Sequence, residues 1–249
     1  ENESGYILYV AIADVADVVK EETEIDKEAF IRGTSIYFPK KVIPMLPEKI
    51  SNDMCSLVPN QKRNVLVCKI YFDTEATINT FEFIEGKIKS SQRFTYEEVE
   101  RFENIDPKIS NSISSLKLLT KKLLLKRSKR HALEIESSEP NIAVNDEGEL
   151  QKISFPKRLF SHQMIEESMI AANVCAAKFM KHNFGYGIYR VHEEPEFLKL
   201  ESLKKFFQLK GHSASSSSNA LDLLNSFSKH ASKNSENKLL NILILQSLK

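Results

Sequence analysis

Residues 32–57 read RGTSIYFPKKVIPMLPEKISNDMCSL and carry three of the chain's eight prolines, Pro39, Pro44 and Pro47. Each proline fixes its own φ, removes a backbone donor and drives the preceding residue towards extended conformations. The segment from Tyr37 to Pro47 therefore reads as a stiff, extended loop. It opens on the aromatic pair Tyr37 and Phe38 and is followed by a polar turn at Ser51, Asn52 and Asp53. Two readings fit it. One is a loop that holds side chains in place for recognition; the other is a rigid surface crossover that buries Ile43, Met45 and Leu46.

Outward from the loop, the patterning predicts a mixed α/β domain. Residues 5–14 (GYILYVAIAD) are mostly β-branched, aromatic and apolar, which predicts a strand buried on both faces and ended by Asp14. A short helix is expected over 25–32. Residues 64–73 and 77–89 alternate as two strands joined near Thr74 and Glu75. Thr95 is the expected N-cap of an acidic helix start, Glu97-Glu98. From Ile109 the apolar residues recur with helical spacing and end in a basic cluster that complements a helix C-terminus. Residues 141–154 predict a hairpin turning at Asp146-Glu147-Gly148.

Ser161 is expected to cap a long helix to about Lys181, with Ile165, Met169, Ala172, Ala176 and Phe179 as its packing face. A strand over 187–192 and helices over 198–209 and 220–227 complete the reading, with a serine-rich loop at 213–218.

The bulk numbers exclude little. A chain of 249 residues has ample core for one large or two small domains, and its net charge of +1 mixes both signs evenly. Any nucleic-acid contact must therefore come from local patches. Cys55, Cys68 and Cys175 show no metal spacing and read as reduced, apolar residues of a cytoplasmic protein. No apolar run is long enough to span a membrane as a helix. The chain begins on Glu1 rather than Met and stops within the apolar run 239–245, so a piece of a longer protein is expected.

Nucleophile elbows and phosphate-cradling glycine loops are absent from the sequence. The pairs Asp14/Asp17 and Glu166/Glu167 are the nearest local carboxylates, and neither alone makes the converging cluster that metal chemistry needs. Glu166 and Glu167 lie about 100° apart on a helix, so they cannot point the same way. Tyr37 and Tyr96 stand beside basic or hydroxyl residues (Arg32 and Lys40; Arg93 and Thr95). Those are the ingredients of single-strand binding by base stacking. Core-edge tyrosines with wet hydroxyls read the same way.

Four segments in order, YVAIADV, the proline stretch, RFTY and MIEESMIAANVCAAKF, resemble the catalytic RNB domain of the ribonuclease R and ribonuclease II exoribonucleases. The resemblance spans essentially the whole chain and is weak at 100–130 and 200–249. It implies a partial RNB domain over residues 1–249, incomplete at both ends. It also implies processive 3′→5′ hydrolysis of single-stranded RNA to nucleoside monophosphates with Mg²⁺ or Mn²⁺. Cold-shock and S1 modules would flank the domain. On the matching positions, Tyr37 would stack on the 3′-terminal base, Tyr96 would line the RNA path and Glu166 would read the ribose. Arg32 is a weaker candidate contact beside Tyr37. Ile135 stands where the family usually places a clamping Phe, and with no π-face it implies a weaker clamp. The family's metal-binding aspartates would precede Glu1, and its arginine-rich catalytic segment would follow Lys249.

The rival is a non-catalytic RNA-binding or scaffold protein on a degenerate RNB domain. With the implied ion ligands outside it, the chain by itself is expected to release no mononucleotides from a labelled oligoribonucleotide in Mg²⁺ or Mn²⁺. Metal-dependent release by the purified chain would overturn that expectation.

Overall fold

A computed structural model of the chain describes residues 5–130, 132, 140–189, 191, 195–209, 220–231 and 238–247. Two compact units divide it: residues 1–122 with 140–183, and residues 123–139 with 184–249.

The first unit is built on a long antiparallel pair. Strand β1 (Tyr6–Ala13) leads through the short helix α1 (Val15–Val18) to α2 (Glu24–Arg32). A small ribbon follows, β2 (Ile36–Tyr37) with β3 (Val42–Ile43), and then a π-helical turn at Lys49–Met54. Strands β4 (Lys62–Phe72) and β5 (Ile78–Lys89) complete the sheet in the order β1-β4-β5, antiparallel throughout. The β4–β5 turn is held by the Asp73 carboxylate, which accepts from the amides of Glu75 (2.9 Å) and Thr77 (2.7 Å). An aspartate bonding its own downstream backbone is what fixes this turn.

Alternation along β4 sends Cys68, Ile70 and Phe72 to one face, where Ile70 is fully buried. Two helices cover that face. The long α4 (Pro107–Lys129) places Lys122 over the Tyr6 ring. Helix α5 (Phe160–Phe184) brings Cys175 against Cys68 and Phe179 edge-on to Phe83 at 5.3 Å. Burial, and then the adjacent Cys175 thiol, pushes the Cys68 thiol up to about 12, so this pair serves as apolar packing. The opposite face is open: Ile7, Tyr9 and Ile84 are exposed. Strand β1 is therefore not buried on both faces. It lies at one end of the three-stranded order, and its apolar composition does not reveal that one face lacks a cover.

Between these elements, α3 (Tyr96–Arg101) and the hairpin β6 (Asn141–Val144) with β7 (Leu150–Ser154) follow the predicted pattern. Gly148 takes φ 87° in the hairpin turn, where Asn145 and Glu149 are bonded.

Helix α5 departs from expectation twice. Ser161 does not cap it, for the helix already begins at Phe160. Its first amides are met instead by His162 Nδ1, which accepts from Leu159, and by the Glu100 carboxylate, which accepts from Ser161 at 2.9 Å. Its buried residues are Ser161, Met164, Glu167, Ser168, Ala171, Ala172 and Cys175, centred on Met164, Ser168, Ala171 and Cys175. Of the predicted face, Ala172 is buried and Phe179 meets Phe83, whereas Ile165 and Met169 are exposed, so the buried face is turned by roughly 80°, a little under one residue's step.

The second unit packs α6 (Phe197–Leu209), α7 (Ala220–Ala231) and α8 (Lys238–Ser247) around Leu203, Phe207, Leu224, Phe227 and Ile244. The Phe207 and Phe227 rings stack at 3.7 Å. The strand expected over 187–192 is absent among its described residues; Ile188 and Val191 are exposed and no ladder pairs with them. An apolar run without a partner strand has no sheet to join. The 213–218 loop lies outside the described residues.

Ile70→Ala removes a fully buried side chain from the middle of β4. Equilibrium urea unfolding should show a loss of about 2–5 kcal/mol. Ile7→Ala, on the open face, should cost markedly less.

Candidate nucleic-acid interface

The proline stretch is a braced ribbon. Phe38 N–H donates to the Lys41 carbonyl at 2.8 Å, closing the β2–β3 turn, and Met45 N–H donates to Ser35 Oγ at 2.9 Å. At its base, Arg32 pairs with Glu28 (2.9 Å) and donates to the Pro44 carbonyl (2.8 Å). At its tip, Lys40 donates to the Asn145 carbonyl and pairs with Asp146 on the β6–β7 turn. Tyr37 stands out from this frame at 78% exposure with Phe38 beside it. The prolines set the backbone, and two long-range cation contacts hold it. Of the crossover reading, Met45 and Leu46 are half-buried while Ile43 is exposed. A cleft of about 310 Å³ lies against the ribbon's base, between α2 and Pro44, Met45 and Pro47.

Tyr96 opens α3, fixed there by a full capping box: Thr95 Oγ1 accepts from the Glu98 amide and Glu98 accepts from the Thr95 amide. Its ring stacks on His162 of α5 at 3.9 Å and 17°. One turn further along α5, the Glu166 carboxylate pairs with Arg158. Tyr96 thus meets α5 at His162, one turn before Glu166 on the same helix. Glu167, by contrast, is buried. Tyr37 belongs to the separate β2–β3 ribbon, and Ile135 lies outside the described residues. Sequence reasoning passed over His162, Arg158 and Glu100. The four-residue spacing of His162 and Glu166 was the available signal for the first.

Among the described residues, no three His, Cys, Asp or Glu side chains converge to hold a metal ion. Asp14 caps α1, accepting from the Asp17 amide. Asp17 accepts from Asn64, whose hydrogen bond holds its carboxyl below the usual range. Both carboxylates organise the end of β1, and among the described residues neither joins two further His, Cys, Asp or Glu side chains in a cluster.

Fold and surface together define a mixed sheet-and-helix domain that displays aromatic side chains on braced elements. The RNB domain model matches residues 1–249, and the chain belongs to the RNB domain family. The ribonuclease R of Vibrio parahaemolyticus is 32% identical over all of this chain, which spans 31% of that protein's length. The ribonuclease R of Mycoplasma genitalium is 39% identical over 80% of the chain, covering 29% of its own length. A solved Mycoplasma genitalium RNase R in complex with ribose methylated single-stranded RNA superposes with a TM-score of 0.91 at 34% identity. That match covers all of this chain and 40% of the other. The chain spans about a third of the length of the curated relatives it matches.

The capping box that seats Tyr96 is pH-sensitive. The Thr95 backbone amide, then its hydroxyl, hold the Glu98 carboxyl below its usual 4.5. A lowered folded value stabilises above the unfolded pKa and is lost as pH falls through the folded one. Glu98→Gln keeps a capping-box residue but cannot titrate. Its urea-unfolding stability should therefore fall less steeply than that of the unaltered chain between about pH 5 and 3. Parallel profiles would remove Glu98 from the acid response.

Proposed function

We propose that the chain is part of a processive 3′→5′ exoribonuclease of the ribonuclease R type, which hydrolyses single-stranded RNA to nucleoside 5′-monophosphates. The observation that carries this is Tyr37: an aromatic ring left 78% exposed on a ribbon fastened at both ends. Burial does not account for a ring held in water, whereas stacking on a base does. The matched relatives, named ribonuclease R, support the same reading.

On this reading Tyr37 stacks on the terminal base, Tyr96 lines the path of the strand and Glu166 accepts from a ribose hydroxyl. A 2′-hydroxyl contact of that kind separates RNA from DNA. Arg32 acts from behind, holding Pro44 and so the ribbon that carries Tyr37. Hydrolysis adds water at phosphorus and breaks the bond to the departing 3′ oxygen, freeing a 5′-monophosphate. Mg²⁺ or Mn²⁺, when bound, supplies activated water and neutralises phosphate charge. Among the described residues no three His, Cys, Asp or Glu side chains converge on such an ion, and the part proposed for them is to bind and orient the strand. Cold-shock and S1 modules in the longer protein, and a cytoplasmic setting, complete the proposal.

Fluorescence anisotropy with a labelled single-stranded oligoribonucleotide tests the stacking role. Tyr37→Ala should weaken binding by about 1–3 kcal/mol, roughly 5- to 150-fold. Tyr9→Ala, an exposed tyrosine on the open sheet face, should leave it unchanged. Equal affinities for unaltered and Tyr37→Ala chains would sink the proposal that Tyr37 stacks on RNA.

A further inference from the structure

We infer that His162 is a positioning residue for sugar recognition: it seats the Tyr96 ring beside Glu166 and thereby sets the preference for RNA over DNA. The inference rests on the RNA-binding reading above and adds to it a residue to which that reading gives no role.

Three observations carry it. The His162 and Tyr96 rings are nearly parallel at 3.9 Å, so one face of Tyr96 is already covered from within the chain. A ring backed in this way loses freedom to tilt, and its hydroxyl is confined to a small arc. Next, the His162 ring is itself locked. Its Nδ1 accepts the Leu159 N–H at 3.1 Å, which in the neutral imidazole leaves the proton on Nε2. Finally, His162 and Glu166 are one turn apart on the same side of α5, and Arg158 holds the Glu166 carboxylate from outside. The stack therefore fixes the Tyr96 ring against the stretch of α5 that carries Glu166 one turn further on. Without the stack Tyr96 stays on α3, because the capping box holds its backbone, but its ring is free to swing.

His162 has two separable jobs, capping α5 and backing Tyr96, and two substitutions divide them. His162→Asn presents an amide oxygen near the place of Nδ1 and keeps the cap while removing the ring. His162→Phe keeps a ring for Tyr96 and loses the acceptor. Affinities would be measured for a labelled oligouridylate and for the oligodeoxyuridylate of the same length. The unaltered chain should prefer the ribo form. His162→Asn should reduce the ratio of the two affinities about five- to tenfold, the worth of one hydrogen bond. His162→Phe should retain most of that ratio.

The opposite pattern, with Phe losing the preference and Asn keeping it, would show that His162 acts only through the helix end and would overturn the inference. An unchanged ratio in His162→Asn would overturn it too, while the RNA-binding reading survived. If the unaltered chain bound neither probe, both would fall.

Discussion

Burial of the Val65–Phe72 half of β4 is the constraint on which the first unit and its candidate interface depend. Val65 and Ile70 are fully buried and Cys68 and Phe72 nearly so. Strand β4 is paired on both edges, so a helix has to cover the face that bears Cys68, Ile70 and Phe72. Helix α5 does this with residues 164, 168, 171 and 175, which at 100° per residue fall within about 60° of one another. On the same count residues 162 and 166 lie about 160° away from Met164. The packing that presses Cys175 on Cys68 thereby turns His162 and Glu166 away from the sheet. Core and interface are opposite sides of one helix, and a slip of α5 by one residue would move both.

The strands, the α3 cap and most helices were legible because local chemistry specifies them. Alternation in 64–89, the Asp73 turn and the Thr95–Glu98 pair need no distant partner to be read. The face of α5 was harder. Ile165 and Met169 look more like core than Ser161 or Ser168, yet the serines are buried and the larger side chains exposed. Small residues let the helix approach the sheet closely, and Ser168 meets its own need by donating to the Met164 carbonyl. Ser161 was misread for a related reason: serine is a common N-cap, but here a carboxylate from α3 and a histidine ring serve the helix end. Neither partner is visible from local sequence, since Glu100 is 61 residues from Ser161. The edge position of β1 and the unpaired stretch near Ile188 share one cause. Hydrophobicity reports that a segment favours burial, not whether an element is present to cover it.

The candidate site residues divide in the same way. Tyr37 was legible as a displayed aromatic because three prolines rigidify its surroundings. The cations beside it were harder to judge. Arg32 and Lys40 read as cations flanking a stacking ring, yet both are engaged within the chain, Arg32 with Glu28 and Pro44 and Lys40 with the β6–β7 turn. Their charge serves to brace the ribbon. On the proposed reading, the grip of Tyr37 is therefore mainly stacking rather than Coulombic attraction. Stacking has little dependence on base identity, which on that reading suits a site that must take any 3′ end presented to it.

Tyr96 is held by a different principle. Its backbone is fixed by the capping box and its ring by His162, whereas among the described residues no ring stacks on Tyr37, which is braced through its backbone. A ring free on both faces can accept bases of any shape. A ring backed on one face offers a fixed hydroxyl instead, and is better suited to a sugar, whose shape does not change along the strand. On the proposed reading, the two tyrosines, similar in sequence context, would take separate tasks: one tolerant of the base, the other strict about the ribose. They also hang on separate supports, the ribbon with its cation clamps and the α3–α5 junction. Loosening one support leaves the other intact, so affinity and sugar preference need not fail together.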